Sequence, residues 1–344
     1  MKLIKPKPLE KGDVIALIAP SSGVAGLFPH RLDAAINFLN LEGYYVKEYS
    51  TTRKTNLWES APAKERAKDI MKAFLDKDIK AIICTIGGNT SNQTLEYLDF
   101  GKIRQNPKIF CGYSDISVLH YALHTQSGLL TFYGPAAITQ FGEYPKPLSY
   151  TVDYFYKAIQ STDQIGSVLP SSHWTDELLD WNKKLDLIQE RTLQSNPGYE
   201  WLRNGVAQGP LIGGCISSIA HLQGTKYWPN HNKRIFFWES PEGEEFGKGE
   251  PLASVDAYLA DLKLSRVFEQ ISGMIVGRPY KYSINESTTL KQKILERTAG
   301  YKFPILYGVD IGHTDPQITV PLGAQALIDS KKNVFEILES GTSR

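Results

Sequence analysis

The sequence is poor in cysteine. Among 344 residues there are three, Cys84, Cys111 and Cys215, in apolar or glycine-rich surroundings and without a C-x-x-C pair. That spacing excludes a disulfide framework and a zinc-ribbon site, so the three read as small buried residues in a reducing compartment, and the expected location is cytoplasmic. Long apolar runs are missing too. None approaches the roughly 20 residues of a membrane span, and the basic start Met1-Lys-Leu-Ile-Lys-Pro-Lys-Pro lacks the apolar core of a signal peptide. Neither sign of charge is in excess: 38 Lys and Arg face 37 Asp and Glu, for a formal charge of +1. A concentrated basic face for nucleic acid or an anionic membrane is therefore not expected. There is no internal repeat and no low-complexity tract.

What is there is a soluble, core-forming composition, 42% hydrophobic and 22% charged, in a chain long enough for two domains. Val14 to Ala19 is a continuous apolar strand running into the small-residue loop Pro20 to Gly26. Leu32, Ala35, Ile36 and Leu39 recur at helical spacing, with Gly43 placed to end that helix. A short strand, Tyr44 to Glu48, is followed by a one-sided helix through Ala67, Ile70, Met71, Phe74 and Leu75, then by the strand Ala81 to Thr85. This alternation predicts an α/β fold: an N-terminal doubly wound, parallel-sheet domain over 1–150. Ligands in such sheets bind beyond the carboxyl ends of the strands, which puts the loops Pro20 to Gly26, Gly87 to Asn92 and Gly112 to Asp115 on one rim.

Residues 151–207 read as an interdomain connection. Within it, residues 171–205 hold Trp174, Trp181 and Trp201 among many charges, the pattern either of a binding loop or of a surface helical hairpin. Residues 208–344 form a C-terminal β-rich α/β domain. Its expected strands are Arg234 to Trp238, Ile271 to Val276 and Ile305 to Val309, its helices run through Val255 to Leu262 and Leu290 to Thr298, and its tail is a hairpin around Ser330-Lys331-Lys332.

The most informative stretch is Lys108 to His124. Ile109-Phe110-Cys111 is a buried strand, and Ile116, Leu119, Ala122 and Leu123 predict a helix beginning close to Ser114. Gly112-Tyr113-Ser114-Asp115 leaves almost no loop between them. Such a turn exposes a serine nucleophile in α/β hydrolases, although Ile116 replaces the last glycine of G-x-S-x-G. It equally suits a helix cap from Ser114 or Asp115. His120 and His124, at i and i+4, read as solvent-facing rather than as a metal pair, because no acidic partner completes a ligand set.

A serine needs a base, and the base needs an orienting group. His313 stands in Gly308-Val-Asp-Ile-Gly-His-Thr-Asp-Pro316, just past a strand, and Glu239 directly follows Ile235-Phe-Phe-Trp238. With Ser114 they give three strand-end residues in the chain order Ser, acid, His. Gly87-Gly88 can bare a backbone N–H toward an oxyanion, joined by the N–H of Asp115, and one such donor is worth roughly 3 kcal/mol in a transition state. A phosphate loop is the weaker reading, since the P-loop lysine and spacing are missing.

These residues coincide with a family pattern. Ala19-Pro20-Ser21-Ser22, Ile86-Gly-Gly-Asn-Thr-Ser-Asn92, Gly112-Tyr-Ser-Asp115 with Gly134-Pro135, Gly209-Pro-Leu-Ile-Gly-Gly214, Phe237-Trp-Glu239, and Gly312-His313 with Pro321-Leu-Gly323 resemble the LD-carboxypeptidase family of serine peptidases. Within it they resemble the microcin C immunity-type subgroup, since murein LD-carboxypeptidases look like Arg-Gly-Gly-Tyr-Gly at the second motif. The resemblance implies that Ser114 is nucleophile, His313 base and Glu239 orienting acid, with an oxyanion site from the backbone of Gly88 and Asp115. It places substrate contacts at Gly87, Asn89, Trp174 and Trp181, and at Cys215, where many relatives carry asparagine. It implies a homodimer, no metal and no organic cofactor. The expected substrate is a microcin C-like aminoacyl nucleotide, cleaved at an amide or acyl-phosphoramidate bond in self-immunity or detoxification. The alternatives are murein tetrapeptide LD-carboxypeptidase activity in cell-wall recycling, or a non-catalytic peptide-nucleotide binding protein.

Overall fold

Strands buried on both faces need apolar side chains at every position, not at alternate ones. Val14–Ile18 and Ile109–Gly112 meet that requirement, as does Ile79–Cys84 apart from the exposed Lys80 near its start, and the three form the centre of a six-stranded sheet. The computed structural model from which these elements are taken describes residues 2–245 and 247–344. The sheet runs, in order, Val320–Pro321, Phe132–Tyr133, Ile109–Gly112, Ile79–Cys84, Val14–Ile18 and Tyr45–Glu48. All neighbours are parallel except the first pair, where Val320–Pro321 arrives from the far end of the chain and lies antiparallel to Phe132–Tyr133. Tyr45–Glu48, largely exposed and ending in the charges of Lys47 and Glu48, takes the edge. The helices Pro29–Leu41 and Ala63–Leu75 pack apolar residues against the sheet, and Pro29 opens its helix where a missing N–H does no harm.

The second sheet has eight strands, ordered Gly166–Ser167, Val334–Ile337, Gln325–Asp329, Val206–Cys215, Ile235–Glu239, Gly273–Gly277, Ile305–Val309 and Glu200–Arg203. The central strands from Val206–Cys215 to Ile305–Val309 are parallel, and the outer ones antiparallel. Val206–Cys215 changes partner halfway: Val206 to Pro210 pair antiparallel with Gln325–Asp329, and Leu211 to Cys215 pair parallel with Ile235–Glu239. The structure is thus a two-domain α/β fold, and the predicted C-terminal hairpin is the pair Gln325–Asp329 and Val334–Ile337. Among the described residues no helix is long and apolar enough to cross a membrane.

Several local expectations are corrected. The helix after the serine turn is Ile116–Ala122, with Asp115 at its N-cap making no side-chain capping bond. Neither Ser114 nor Asp115 is a side-chain cap. His120 and His124 are core residues, at 0% and 7% exposure, not solvent-facing ones. His120 Nδ1 meets Thr131 Oγ1 at 2.9 Å and Nε2 meets the Gly112 carbonyl at 2.9 Å, so burial is matched by bonding. Residues 171–205 are not a helical hairpin. They contain the two-residue strands His173–Trp174 and Gln194–Ser195, paired antiparallel, and one 3₁₀ turn, Leu185–Leu187. The helix predicted from Leu290 begins at Ile284, because Ser283 and Glu286 form a reciprocal capping box.

Candidate active site

Three chain segments end at the same place. The strand Ile109–Gly112 delivers Ser114 two residues beyond its end; Ile235–Glu239 ends on Glu239; and Ile305–Val309 delivers His313 four residues on. Ser114 adopts φ +63°, the left-handed region that costs a non-glycine residue about 1 kcal/mol or more. That conformation belongs to a sharp turn that lifts the side chain away from the strand and the helix. His313 Nε2 lies 3.0 Å from Ser114 Oγ, and His313 Nδ1 lies 2.7 Å from Glu239 Oε2. Glu239 is fully buried, so its carboxylate depends on these bonds for stabilisation.

The other oxygen of Glu239 accepts a hydrogen bond from Tyr133, whose phenolic oxygen in turn accepts the backbone N–H of Ser114 at 3.2 Å. Burial pushes the Tyr133 phenol well up, and the neighbouring Glu239 pushes it further, so the group is a donor. Tyr133 therefore ties the serine turn of one sheet to the acid of the other. Sequence reasoning missed it, and the signal available was modest: an aromatic residue directly before Gly134-Pro135 on a two-residue strand.

His313 carries the most consequential charge. Burial alone lowers an imidazole pKa, but Glu239, Glu242 and Asp315 outweigh it and raise His313 to about 9. Glu242 was also missed. It lies three residues past Glu239, and its Oε2 comes within 3.3 Å of His313 Nε2.

The rim loops meet as the strand-end argument requires. A Cβ added to Gly87 would fall 2.7 Å from Ser114 Cβ and 3.1 Å from the Asp115 nitrogen, so only glycine fits beside the serine. Asp115 Oδ2 accepts from Ser21 Oγ at 2.5 Å and from the Ser91 N–H at 2.9 Å, and Ser21 Oγ accepts the Thr90 N–H at 3.2 Å. Asp115 thus joins all three rim loops instead of capping its helix.

Above this centre lies a cavity of about 550 Å³ lined by Gly87, Gly88, Asn89, Ser114, His313, Glu242 and Trp181, among others. Phe28, Trp58, Tyr113 and Tyr280 add further aromatic lining. Trp181 stands against the Arg31 guanidinium, 4.6 Å from the ring centre, and edge-on to Phe28. Trp174 does not line the cavity. It sits under Arg278, whose guanidinium is 4.7 Å from its ring centre. Cys215 does not line it either: the side chain is buried beside Glu239 in the sheet register, and burial pushes its thiol well up.

The middle segment is held over the cavity by buried ion pairs. Arg191 Nη2 contacts Glu143 at 3.0 Å and Asp315 at 2.9 Å, while Arg31 contacts Asp186 at 3.3 Å and Glu143 at 3.6 Å. Desolvation opposes charge on Arg191, yet Asp315 and Glu143 hold its pKa above the ordinary value.

Residues 15–134 match the LD-carboxypeptidase N-terminal domain and residues 208–328 the LD-carboxypeptidase C-terminal domain. A putative carboxypeptidase of Vibrio cholerae is 34% identical over 96% of both chains. The microcin C7 self-immunity protein MccF of Escherichia coli is 31% identical over 96% of this chain and 95% of its own. A probable murein peptide carboxypeptidase of Bacillus subtilis is 30% identical over 98% and 95%. The structure of MccF in complex with glutamyl sulfamoyl guanosine superposes with a TM-score of 0.90 at 31% identity, covering 98% of this chain and 99% of that one. With both domain models matched in order and whole-length relatives above 30% identity, the chain belongs to the LD-carboxypeptidase family of serine carboxypeptidase-like hydrolases.

Proposed function

We propose that the protein hydrolyses an amide or acyl-phosphoramidate bond with Ser114 as nucleophile, His313 as general base and Glu239 as orienting acid. The observation that carries this reading is the continuous chain Ser114 Oγ, His313 Nε2, His313 Nδ1 and Glu239 Oε2, with contacts of 3.0 and 2.7 Å at the floor of the cavity. His313 takes the Ser114 proton as Oγ attacks the carbonyl. The oxyanion then falls between the backbone N–H groups of Gly88 and Asp115, in the pocket that Gly87 leaves open. The imidazolium returns the proton to the leaving nitrogen. Water, deprotonated by the same histidine, releases the acyl group from Ser114. Glu239 holds the Nδ1–H tautomer and stabilises the positive charge that forms on the ring.

The substrate class we favour is a microcin C-like aminoacyl nucleotide, in self-immunity or detoxification. A close structural relative binds glutamyl sulfamoyl guanosine, and the cavity pairs a reaction centre with Phe28, Trp58 and Trp181, surfaces on which a nucleobase can stack. Asn89 and Gly87 sit within reach of a substrate in the same cavity. Murein peptide cleavage is the second reading, favoured by the whole-length similarity to the Bacillus subtilis protein. We place the protein in the cytoplasm as a homodimer acting without metal or organic cofactor.

The test is direct. Aminoacyl sulfamoyl adenosine and an LD-linked murein tetrapeptide are incubated side by side with wild-type protein and with Ser114→Ala. Loss of the nucleophile is expected to lower turnover by about 10⁴-fold or more while leaving binding in place. Full activity in Ser114→Ala refutes the assignment. Turnover of the tetrapeptide alone transfers the protein to the murein reading, and turnover of neither substrate by wild type rejects both.

A further inference from the structure

Glu242 lies in the substrate cavity, with its side chain 60% exposed and its carboxylate 3.3 Å from the same nitrogen of His313 that faces Ser114. Among the described residues no Lys or Arg lies within ion-pair distance of it, whereas the carboxylates of Glu143, Asp186 and Asp315 around the same cavity are matched by Arg31 and Arg191. The loop that carries it is folded back on itself through Gly243 N–H to the Lys248 carbonyl at 2.9 Å and Glu250 N–H to the Pro241 carbonyl at 2.9 Å, which pairs Glu242 with Gly249 and fixes its backbone beside His313. A carboxylate held at the reaction centre with no Lys or Arg beside it, and only the catalytic imidazole for a partner, is an acceptor for a cation that arrives with the substrate.

We propose that Glu242 is a specificity-determining residue that selects substrates bearing an ammonium group beside the scissile carbonyl, and that the ammonium draws this carboxylate away from His313. The inference rests on the proposed function above. The ammonium is either the free α-amine of an aminoacyl nucleotide or the side-chain amine of a diamino acid in a peptide. Its arrival has a second effect. In the free protein His313 lies between the Glu239 carboxylate on Nδ1 and the Glu242 carboxylate on Nε2, with Asp315 acting at longer range, Arg191 paired to Asp315, and the Tyr113 ring 4.9 Å away. This surrounding favours the imidazolium, which cannot accept the Ser114 proton. An ammonium that engages Glu242 removes one of the two carboxylates from the ring and shifts His313 toward the neutral imidazole. No bond is made or broken in this step; one ion pair replaces another.

The test separates this inference from the catalytic reading by measuring binding in a Ser114→Ala background. Two ligand pairs are titrated calorimetrically: aminoacyl sulfamoyl adenosine with its α-amine free or acetylated, and an acyl-dipeptide ending in L-Lys-D-Ala or in L-norleucyl-D-Ala. The expected result is roughly tenfold or greater preference for the amine in one pair, which identifies the source of the ammonium. That preference disappears in Glu242→Gln and survives in Glu242→Asp. In the ligand-free protein, NMR titration of His313 moves to lower pH in Glu242→Gln, and the amine ligand produces the same displacement when Glu242 is present. Equal affinities within both pairs, an unchanged preference in Glu242→Gln, or an unchanged His313 titration overturns the proposal, whether or not the wild-type protein turns over either substrate.

Discussion

Replacing Tyr133 by phenylalanine isolates a single oxygen that the two halves of the site share. The ring is fully buried and packs edge-on to Phe237, with centroids 5.4 Å apart, so the phenylalanine keeps the shape and removes only the hydroxyl. The Ser114 N–H then loses its acceptor, and Glu239 Oε1 loses its donor. A buried bond to a charged group is worth about 1.5–3 kcal/mol, and an orphaned buried N–H costs about 1–3 kcal/mol. The two partners relax partly into the space of the lost oxygen, so the expected destabilisation is about 3 kcal/mol, read as a lower urea midpoint at unchanged slope. The kinetic effect follows a different route. Glu239 is freed to rotate, and the serine turn, already at φ +63°, loses the bond that holds its backbone. If about 1.5–3 kcal/mol of orientation is lost at the transition state, kcat/KM falls roughly 10- to 100-fold, with KM little changed. The assay is steady-state hydrolysis of whichever substrate the wild-type protein turns over, alongside urea denaturation of both forms. A kcat/KM within twofold of wild type, with an unchanged midpoint, would refute the idea that Tyr133 couples the two elements.

Gly312→Ala places a Cβ about where Glu239 already is, 2.3 Å from its Cγ, at a residue with φ +99°. The expected result is at least a 100-fold loss of kcat, with destabilisation of about 1–3 kcal/mol from backbone strain alone; near-normal kinetics would show that the His313 turn tolerates displacement. Arg191→Met removes the cation between Glu143 and Asp315, leaving the buried Asp315 without its ion-pair partner and Glu143 with only the longer contact to Arg31. Breaking a buried pair in this way costs about 3–5 kcal/mol, so the urea midpoint drops sharply, and Glu143→Gln in the same chain recovers part of the loss. A midpoint unchanged in Arg191→Met would mean that the middle segment is held by its other contacts. The pH dependence has a definite sign: because His313 is raised to about 9 and acts unprotonated, kcat/KM with a substrate lacking an ammonium rises with pH through that region and does not plateau near 6.5.

Much of this molecule follows from local pattern. The runs Val14–Ile18 and Ile305–Val309 are apolar at every position, and Ile79–Cys84 at every position but the exposed Lys80, which fits strands buried on both faces, and that property is written in the residues themselves. Apolar runs of the same kind put Ser114, Glu239 and His313 at strand ends, since each lies within four residues of one. Local pattern failed where burial and pairing are decided by distant chain. His120 and His124 looked solvent-facing because polar residues on a short helix usually are, yet both are buried: the His120 ring packs against Phe110 and Tyr133 of the first sheet, and Thr131 and the Gly112 carbonyl satisfy its nitrogens. Trp174 and Trp181 look equivalent in sequence. Only the fold sends one beneath Arg278 and the other to the cavity wall beside Arg31. Asp115 is a cap by position, but Ser21 and Ser91 from two other loops claim its carboxylate. Tyr133 and Glu242 carry no motif of their own. Their place beside Glu239 and His313 exists only once two sheets meet, because hydrogen bonds and charge act over about 3 Å of space regardless of the hundred and more residues of chain that separate Tyr133 from Glu239.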